Sequence, residues 1–221
     1  MVVPSPPIHP AVPVLAASPL ALAAVGVASA LGVLGLWVMV TYNGLATRRV
    51  RVQNGFAQID VQLRRRHDLV PNIVATVQGA MAHERQTLEA VTRARAAAVA
   101  AERLASGSGG RDASATGALA GAEGALAAAL GRLMVVMERY PELKANASAL
   151  QLQEELVSTE NRIAFARQAY NDAVMTYNTR LAVFPDLVVA RLLGFAPAAL
   201  FEADEPSRAL PVVDLGASRA G

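Results

Sequence analysis

Three histidines, His9, His67 and His83, are the only imidazoles in a 221-residue chain that has no cysteine. Any metal centre would therefore draw on them and on carboxylates. A zinc-protease helix needs a second histidine four residues after the first. His83-Glu84 begins that pattern, but Thr87 stands at the required position. A di-iron bundle needs two Glu-x-x-His pairs facing inward, and the residues three before His67 and His83 are Arg64 and Ala80. The histidines read as solvated or hydrogen-bonded helix residues. Ser108, within Ser106-Gly107-Ser108-Gly109-Gly110, lacks both the nucleophile elbow and a neighbouring base. The same stretch follows no strand, so it reads as a flexible linker and not a phosphate loop. No catalytic residue, metal ligand or cofactor is expected.

Two polar constellations remain. Arg64, Arg65 and Arg66 form the densest basic cluster, yet the chain's net charge is only +2, which gives no basis for nucleic-acid binding. Glu154, Glu155 and Glu160 begin the last long helical segment and are expected to lie level with the arginines, which predicts interhelical ion pairs. Exposed pairs of this kind contribute at most about 1 kcal/mol each, fixing register more than stability. The second constellation is Tyr170-Asn171 and Tyr177-Asn178, repeated seven residues apart and so on one helix face. It reads as a polar ridge whose tyrosines bury their rings and whose asparagines fix register, with binding of a folded partner as its functional use.

The elements that must position these groups follow from hydrophobicity. The chain is 53% hydrophobic and only 17% charged, with a mean hydropathy of +0.33. The excess is concentrated at the start. Residues 1–19 are broken by six prolines and should be extended. Residues 20–41 carry no charge, and a helix over Leu20–Val40 would span roughly 32 Å, matching a hydrocarbon core of about 30 Å. Trp37 and Tyr42 fall where amphipathic rings favour the interface, and Arg48, Arg49 and Arg51 follow. Ala28-Ser29-Ala30 resembles a signal-peptide cleavage site. However, there is no basic n-region and the apolar run continues past it, so an uncleaved anchor is expected. No cysteine is present for lipoprotein acylation. Arginines on the carboxyl side alone place that side in the cytoplasm and the amino terminus outside. Ala24, Ala28 and Gly32 form a small-residue stripe that would let two anchors approach, but such a stripe arises easily by chance in an alanine-rich helix, so a homo-oligomer is given little weight. The cluster at Arg64–Arg66 would lie about 35 Å from Tyr42 along a straight helix, beyond reach of headgroups; Arg48, Arg49 and Arg51 would reach them.

After Tyr42 the apolar period is helical. Four sets appear: Leu45, Val52, Phe56, Ile59, Leu63 and Val70; Ile73, Val77, Met81, Leu88, Val91 and Ala98; Leu119 to Tyr140; and Leu152 to Phe184. Arg49 and Arg66 occupy skipped heptad positions in the first set. No stretch alternates with period two, so no strand is expected. Breaks are predicted at Asp68-Leu69-Val70-Pro71, at Ser106–Gly110 and at Tyr140-Pro141. Asn146 to Ser148 are placed to cap the last helix. Short connections make neighbours antiparallel, so residues 42–201 are expected to form an up-down four-helix bundle in an all-α chain. Pro71 and Pro141 as kinks within two very long helices are the alternative. The apolar segment 187–201, bounded by Pro185 and Pro197, is expected to lie at the bilayer interface or to cap the bundle base. Residues 202–221 read as a disordered tail.

Several runs in fixed order resemble the LemA family: Gln58-Ile59-Asp60-Val61-Gln62-Leu63, Arg65-Arg66-His67-Asp68-Leu69-Val70-Pro71-Asn72, Tyr140-Pro141-Glu142-Leu143-Lys144-Ala145-Asn146 and Glu160-Asn161-Arg162-Ile163-Ala164-Phe165. Tyr170-Asn171-Asp172-Ala173-Val174 and Tyr177-Asn178 complete the match. The resemblance implies a bacterial inner-membrane protein with one membrane helix and a cytoplasmic helical bundle, and it supplies no established activity, cofactor or substrate. Three functions are weighed: a non-enzymatic scaffold or adaptor for as yet unknown protein partners, a lipid-sensing or membrane-shaping protein, and an enzyme whose site forms between helices or in an oligomer. The first is preferred. Residues 48–103 hold 10 basic and 5 acidic groups and residues 104–205 hold 8 and 12, so the two halves are expected to pair.

Overall fold

The computed structural model describes residues 19–202, and all secondary structure among them is helical. Expectations for residues 1–18 and 203–221 lie outside the described residues. Six helices follow in order: α1 (Pro19–Gln78), α2 (Arg85–Ser108), α3 (Ala113–Met137), α4 (Pro141–Lys144), α5 (Ala147–Ala182) and α6 (Asp186–Leu192). The chain divides into two compact units, one ending at Tyr42 and one beginning at Asn43.

In the first unit the helix is apolar on all sides over residues 20–40 and most of its side chains are exposed, Leu20, Val25, Leu31, Leu36 and Val40 among them. A helix of that length with no polar face is suited to crossing a membrane. The helix α3 is also long and apolar enough to cross a bilayer. Its Leu119, Leu126, Leu133 and Met137 are instead buried in the second unit's core, the behaviour of a core helix.

The second unit packs its helices around two apolar clusters. One holds Leu69, Val70, Ile73, Ala98, Leu126 and Leu156 among others. The other holds Leu45, Phe56, Leu63, Ala105, Leu119 and Ile163 among others. Helix ends have local chemical causes. Asp112 accepts from the Ser114 and Ala115 amides to cap α3, and Asn146 accepts from the Ala149 amide to cap α5. Pro141 occupies the first turn of α4, where its missing N–H costs nothing.

Three expectations need correction. The break at Asp68–Pro71 does not occur: α1 runs through Pro71 to Gln78, and the turn falls at residues 79–84 instead. Proline in a helix interior removes the amide that would bond the carbonyl four residues back, here that of His67. Arg95 on α2 fills the vacancy, its Nε donating to the His67 carbonyl at 2.6 Å. The glycine-rich stretch is no flexible linker. Helix α2 extends through Ser108, and Gly109 and Gly110 turn the chain at φ +60° and +74°, conformations that suit glycine. A Cβ on Gly110 would stand 2.6 Å from the Phe56 ring. Phe184, assigned to the last helical seam, is 77% exposed, because α5 ends at Ala182 and the heptad ends with it.

Candidate functional site

Between the two apolar clusters each of the four long helices contributes polar residues at one level. On α1, Arg66 and His67 separate Leu63 from Leu69; on α2, Glu102 separates Ala98 from Ala105. On α3, Glu123 separates Ala120 from Leu126, and on α5 Thr159 and Glu160 separate Leu156 from Ile163. Arg66, His67, Glu102, Glu123 and Thr159 are all buried. Arg66 bridges Glu123 and Glu160 through separate guanidinium nitrogens. His67 Nε2 lies 2.6 Å from the other Glu123 oxygen, while its Nδ1 is 3.7 Å from Glu102. Arg64 Nε donates to Glu102 at 2.9 Å and also pairs with Asp60 at 2.8 Å.

Burial pushes the Glu123 carboxyl up, but the His67 hydrogen bond together with the charge and hydrogen bond of Arg66 outweighs it. The group is held below the ordinary carboxylate range. Buried ion pairs add little net stability but fix geometry, since breaking one strands a charge. Of the residues expected to form interhelical pairs, Arg65 reaches Glu155 at 3.8 Å at the surface, and Arg66 reaches Glu160. Glu154 is exposed and makes none of these pairs. Glu102 and Glu123, the partners that bury Arg66 and His67, were missed. Their signal was the same as that of Arg66, a charge standing on an apolar seam. The Arg66–Glu123 pair is therefore not the solvent-exposed kind, whereas the Glu160 side of the second pair stays open to water.

The Tyr–Asn ridge holds the chain's own carboxyl-terminal arm. After α6 and Gly194 (φ +70°), residues 195–201 run back along α5. Asn178 clasps the backbone of Ala198, donating to its carbonyl at 2.8 Å and accepting from its amide at 2.9 Å. Asn171 does the same with Phe201, at 3.3 and 2.9 Å. Tyr177 donates to the Ala196 carbonyl at 3.0 Å. Tyr170 donates to those of Ala199 at 2.8 Å and Gly110 at 3.3 Å. Burial pushes the Tyr170 hydroxyl up to about 12. It also raises that of Tyr177, more than nearby Arg49 lowers it. Both therefore stay protonated donors at neutral pH. Phe201 is buried, with the Arg167 guanidinium 5.4 Å from its ring centre.

Segment 187–201 thus divides in two. Val189, Ala190 and Phe201 are buried, whereas Val188, Leu192 and Leu193 remain exposed beside Phe184. Among the residues expected at a membrane surface, Trp37 is half-buried and Tyr42 exposed in the first unit. In the second, Arg48 bonds the Gly44 carbonyl at 3.0 Å, Arg49 lies beside Tyr177, and Arg51 is exposed. His83 lies in the turn between α1 and α2 and is exposed. Among the described residues no group of three or more acidic or imidazole side chains is placed to hold a metal ion.

The sequence model of the LemA family matches residues 55–215. Two curated proteins of Paramagnetospirillum magneticum, magnetosome proteins MamQ 1 and MamQ 2, are each 32% identical over 80 residues, 36% of this chain. The aligned stretch spans only 29% of the length of each. Magnetosome protein MamQ of Magnetospirillum gryphiswaldense is 28% identical over 203 residues, covering 83% of this chain and 74% of that protein.

Proposed function

The chain belongs to the LemA family, and from that premise we propose that it is a membrane-anchored, non-catalytic helical scaffold or adaptor that presents its bundle to protein partners. The carrying observation is that its densest polar chemistry is turned inward. Arg66, His67, Glu102 and Glu123 are buried against one another, an arrangement that fixes helices and offers no open site to a substrate. In this reading α1 carries the single membrane pass. Asp60–Ser106, Arg64–Glu102 and His67–Arg95 progress in opposite senses along α1 and α2. Phe56–Tyr170 and Arg66–Glu160 do so along α1 and α5, supporting an antiparallel up-down bundle. In this reading the anchor sits in the inner membrane, and the arginines after the apolar run support an orientation with the bundle in the cytoplasm and the amino terminus outside. The relatives named as magnetosome proteins support a bacterial setting.

Crosslinking in intact membranes followed by pull-down of the full chain tests the scaffold. A stoichiometric protein partner is the expected result, and turnover by the purified chain in the absence of any partner would sink the reading. A carboxyl-terminal reporter tests orientation, and activity outside the cytoplasm would reverse it.

A lipid-sensing role is favoured by one observation. Phe184, Val188, Leu192 and Leu193 leave an apolar surface exposed on and around α6, and Leu45, Leu181 and Ala190 share one cluster beneath it. Replacing Phe184 and Leu192 with aspartate should leave the membrane-anchored chain's lipid preferences unchanged if this surface meets protein, and should abolish them if it meets lipid.

A further inference from the structure

The carboxyl-terminal arm is held mainly through its backbone. Asn178 and Asn171 each read both the amide and the carbonyl of one arm residue, Ala198 and Phe201 respectively. Tyr177 and Tyr170 add hydroxyl donors to the carbonyls of Ala196 and Ala199. Amide-to-backbone clasps of this kind ask only that the ligand be extended and carry a free N–H at the two stations. Phe201, buried beneath Arg167, supplies side-chain selectivity, and the partly buried Phe195 packs against the same apolar cluster. The arm also leaves part of its groove empty. A cavity of about 100 Å³ remains beside it, bordered by Arg49, Arg111, Tyr177, Ala196 and Pro197. Within the described residues neither Arg49 nor Arg111 makes an ion pair, Arg111 spending only its Nε on the Ser108 carbonyl, and the arm residues bordering that cavity carry no charged side chain.

We propose that the α5 face bearing Tyr170, Asn171, Tyr177 and Asn178 is a receptor for an extended peptide of a partner protein, and that residues 195–201 are its resident, displaceable occupant. The preferred partner carries an aromatic residue at the Phe201 station, unsubstituted amides at the two clasped positions, and an acidic side chain at the Ala196 station. That carboxylate would enter the empty cavity between Arg49 and Arg111, gaining charge-assisted hydrogen bonds the resident arm cannot make. Because the resident arm competes from within the same chain, an outside peptide binds with an affinity reduced by the fraction of closed grooves. The acidic residue offsets that disadvantage. The proposal rests on the scaffold reading for its biological use alone; whether the groove takes up a peptide is read separately.

The test uses the full chain in lipid nanodiscs and fluorescein-labelled peptides of residues 194–202, read by anisotropy. Phe201→Asp, which frees the groove, is expected to raise affinity for the peptide at least tenfold over the unmodified chain. A peptide with Ala196→Glu should bind about tenfold tighter again, a gain lost in the Arg49→Gln, Arg111→Gln chain. Asn171→Ala with Asn178→Ala, or N-methylation of the peptide at the Ala198 and Phe201 amides, should abolish uptake. Should Phe201→Asp fail to fold, Ala198→Pro removes one clasped N–H without burying a charge and serves the same comparison. A folded variant that takes up no peptide, or uptake indifferent to N-methylation, would overturn the proposal. So would a concentration-dependent dimer of the unmodified chain that Phe201→Asp dissolves, because the occupant would then be a second copy. Partner capture in crosslinking would survive any of these results, so the two readings fail separately.

Discussion

Arg95 Nε donates to the carbonyl of His67, the acceptor that Pro71 leaves without its helical amide. One long-range hydrogen bond thus accompanies an uninterrupted α1 and ties α2 to it beside the buried polar layer. Arg95→Leu should lower stability by about 1–3 kcal/mol, the cost of an unsatisfied partly buried acceptor. Pro71→Ala restores the local amide, so in that background the same change should cost much less. A double-mutant cycle from urea unfolding reads the coupling, expected at about 1 kcal/mol or more. Additive effects would show that the two residues act independently.

Glu123 is the acid on which two basic side chains converge. Glu123→Ala should destabilise the fold by about 3–5 kcal/mol, because Arg66 and His67 lose a buried partner. Its folded carboxyl titrates below the ordinary range. Its contribution is therefore present above the unfolded value of about 4.3 and is lost as the pH falls through the lower folded value. Urea unfolding between pH 3 and 6 should show a steeper acid loss for the unmodified chain than for Glu123→Gln. Equal slopes would remove Glu123 as the acid-sensitive group.

The apolar half of this architecture is legible in the sequence. Leu45, Val52, Phe56, Ile59, Leu63 and Val70 follow heptad steps, and all are buried. Met81 was also assigned to the core, although it lies in the turn after α1 and not within a helix. Continuation through Pro71 was legible only as the alternative of a very long helix, because the donor that compensates for the proline lies on another helix. Glu102 and Glu123 were visible only as charges on apolar seams, and their partners are set by tertiary contact. The Tyr–Asn ridge was recognisable as one face from its seven-residue repeat. The arm it holds is an irregular chain with no period, so nothing local announced the pairing.

Gly109 and Gly110 share a left-handed backbone but differ in surroundings. A Cβ on Gly109 meets nothing within 4 Å, whereas one on Gly110 meets the Phe56 ring. Gly109→Ala should cost only backbone strain, about 1–2 kcal/mol. Gly110→Ala adds overpacking of Phe56 and should cost about 3 kcal/mol or more. Thermal melts of the two variants check the order, and equal losses would mean that Phe56 moves aside freely.

Tyr170 makes the fold sensitive to alkali. Burial raises its hydroxyl to about 12, above an unfolded value of about 10. A raised folded value means the contribution is fully present below about pH 10 and is lost as the pH rises through about 12. Deprotonation would also remove the donor that serves the Ala199 and Gly110 carbonyls. Tyr170→Phe should cost about 1–2 kcal/mol at neutral pH and should flatten the alkaline loss of stability. Phenolate absorbance followed beside unfolding is the measurement. One tyrosine should ionise near pH 12 in the unmodified chain and be missing from Tyr170→Phe. Ionisation of all four tyrosines near pH 10 would show that the hydroxyl is open to water and that the arm does not seal it.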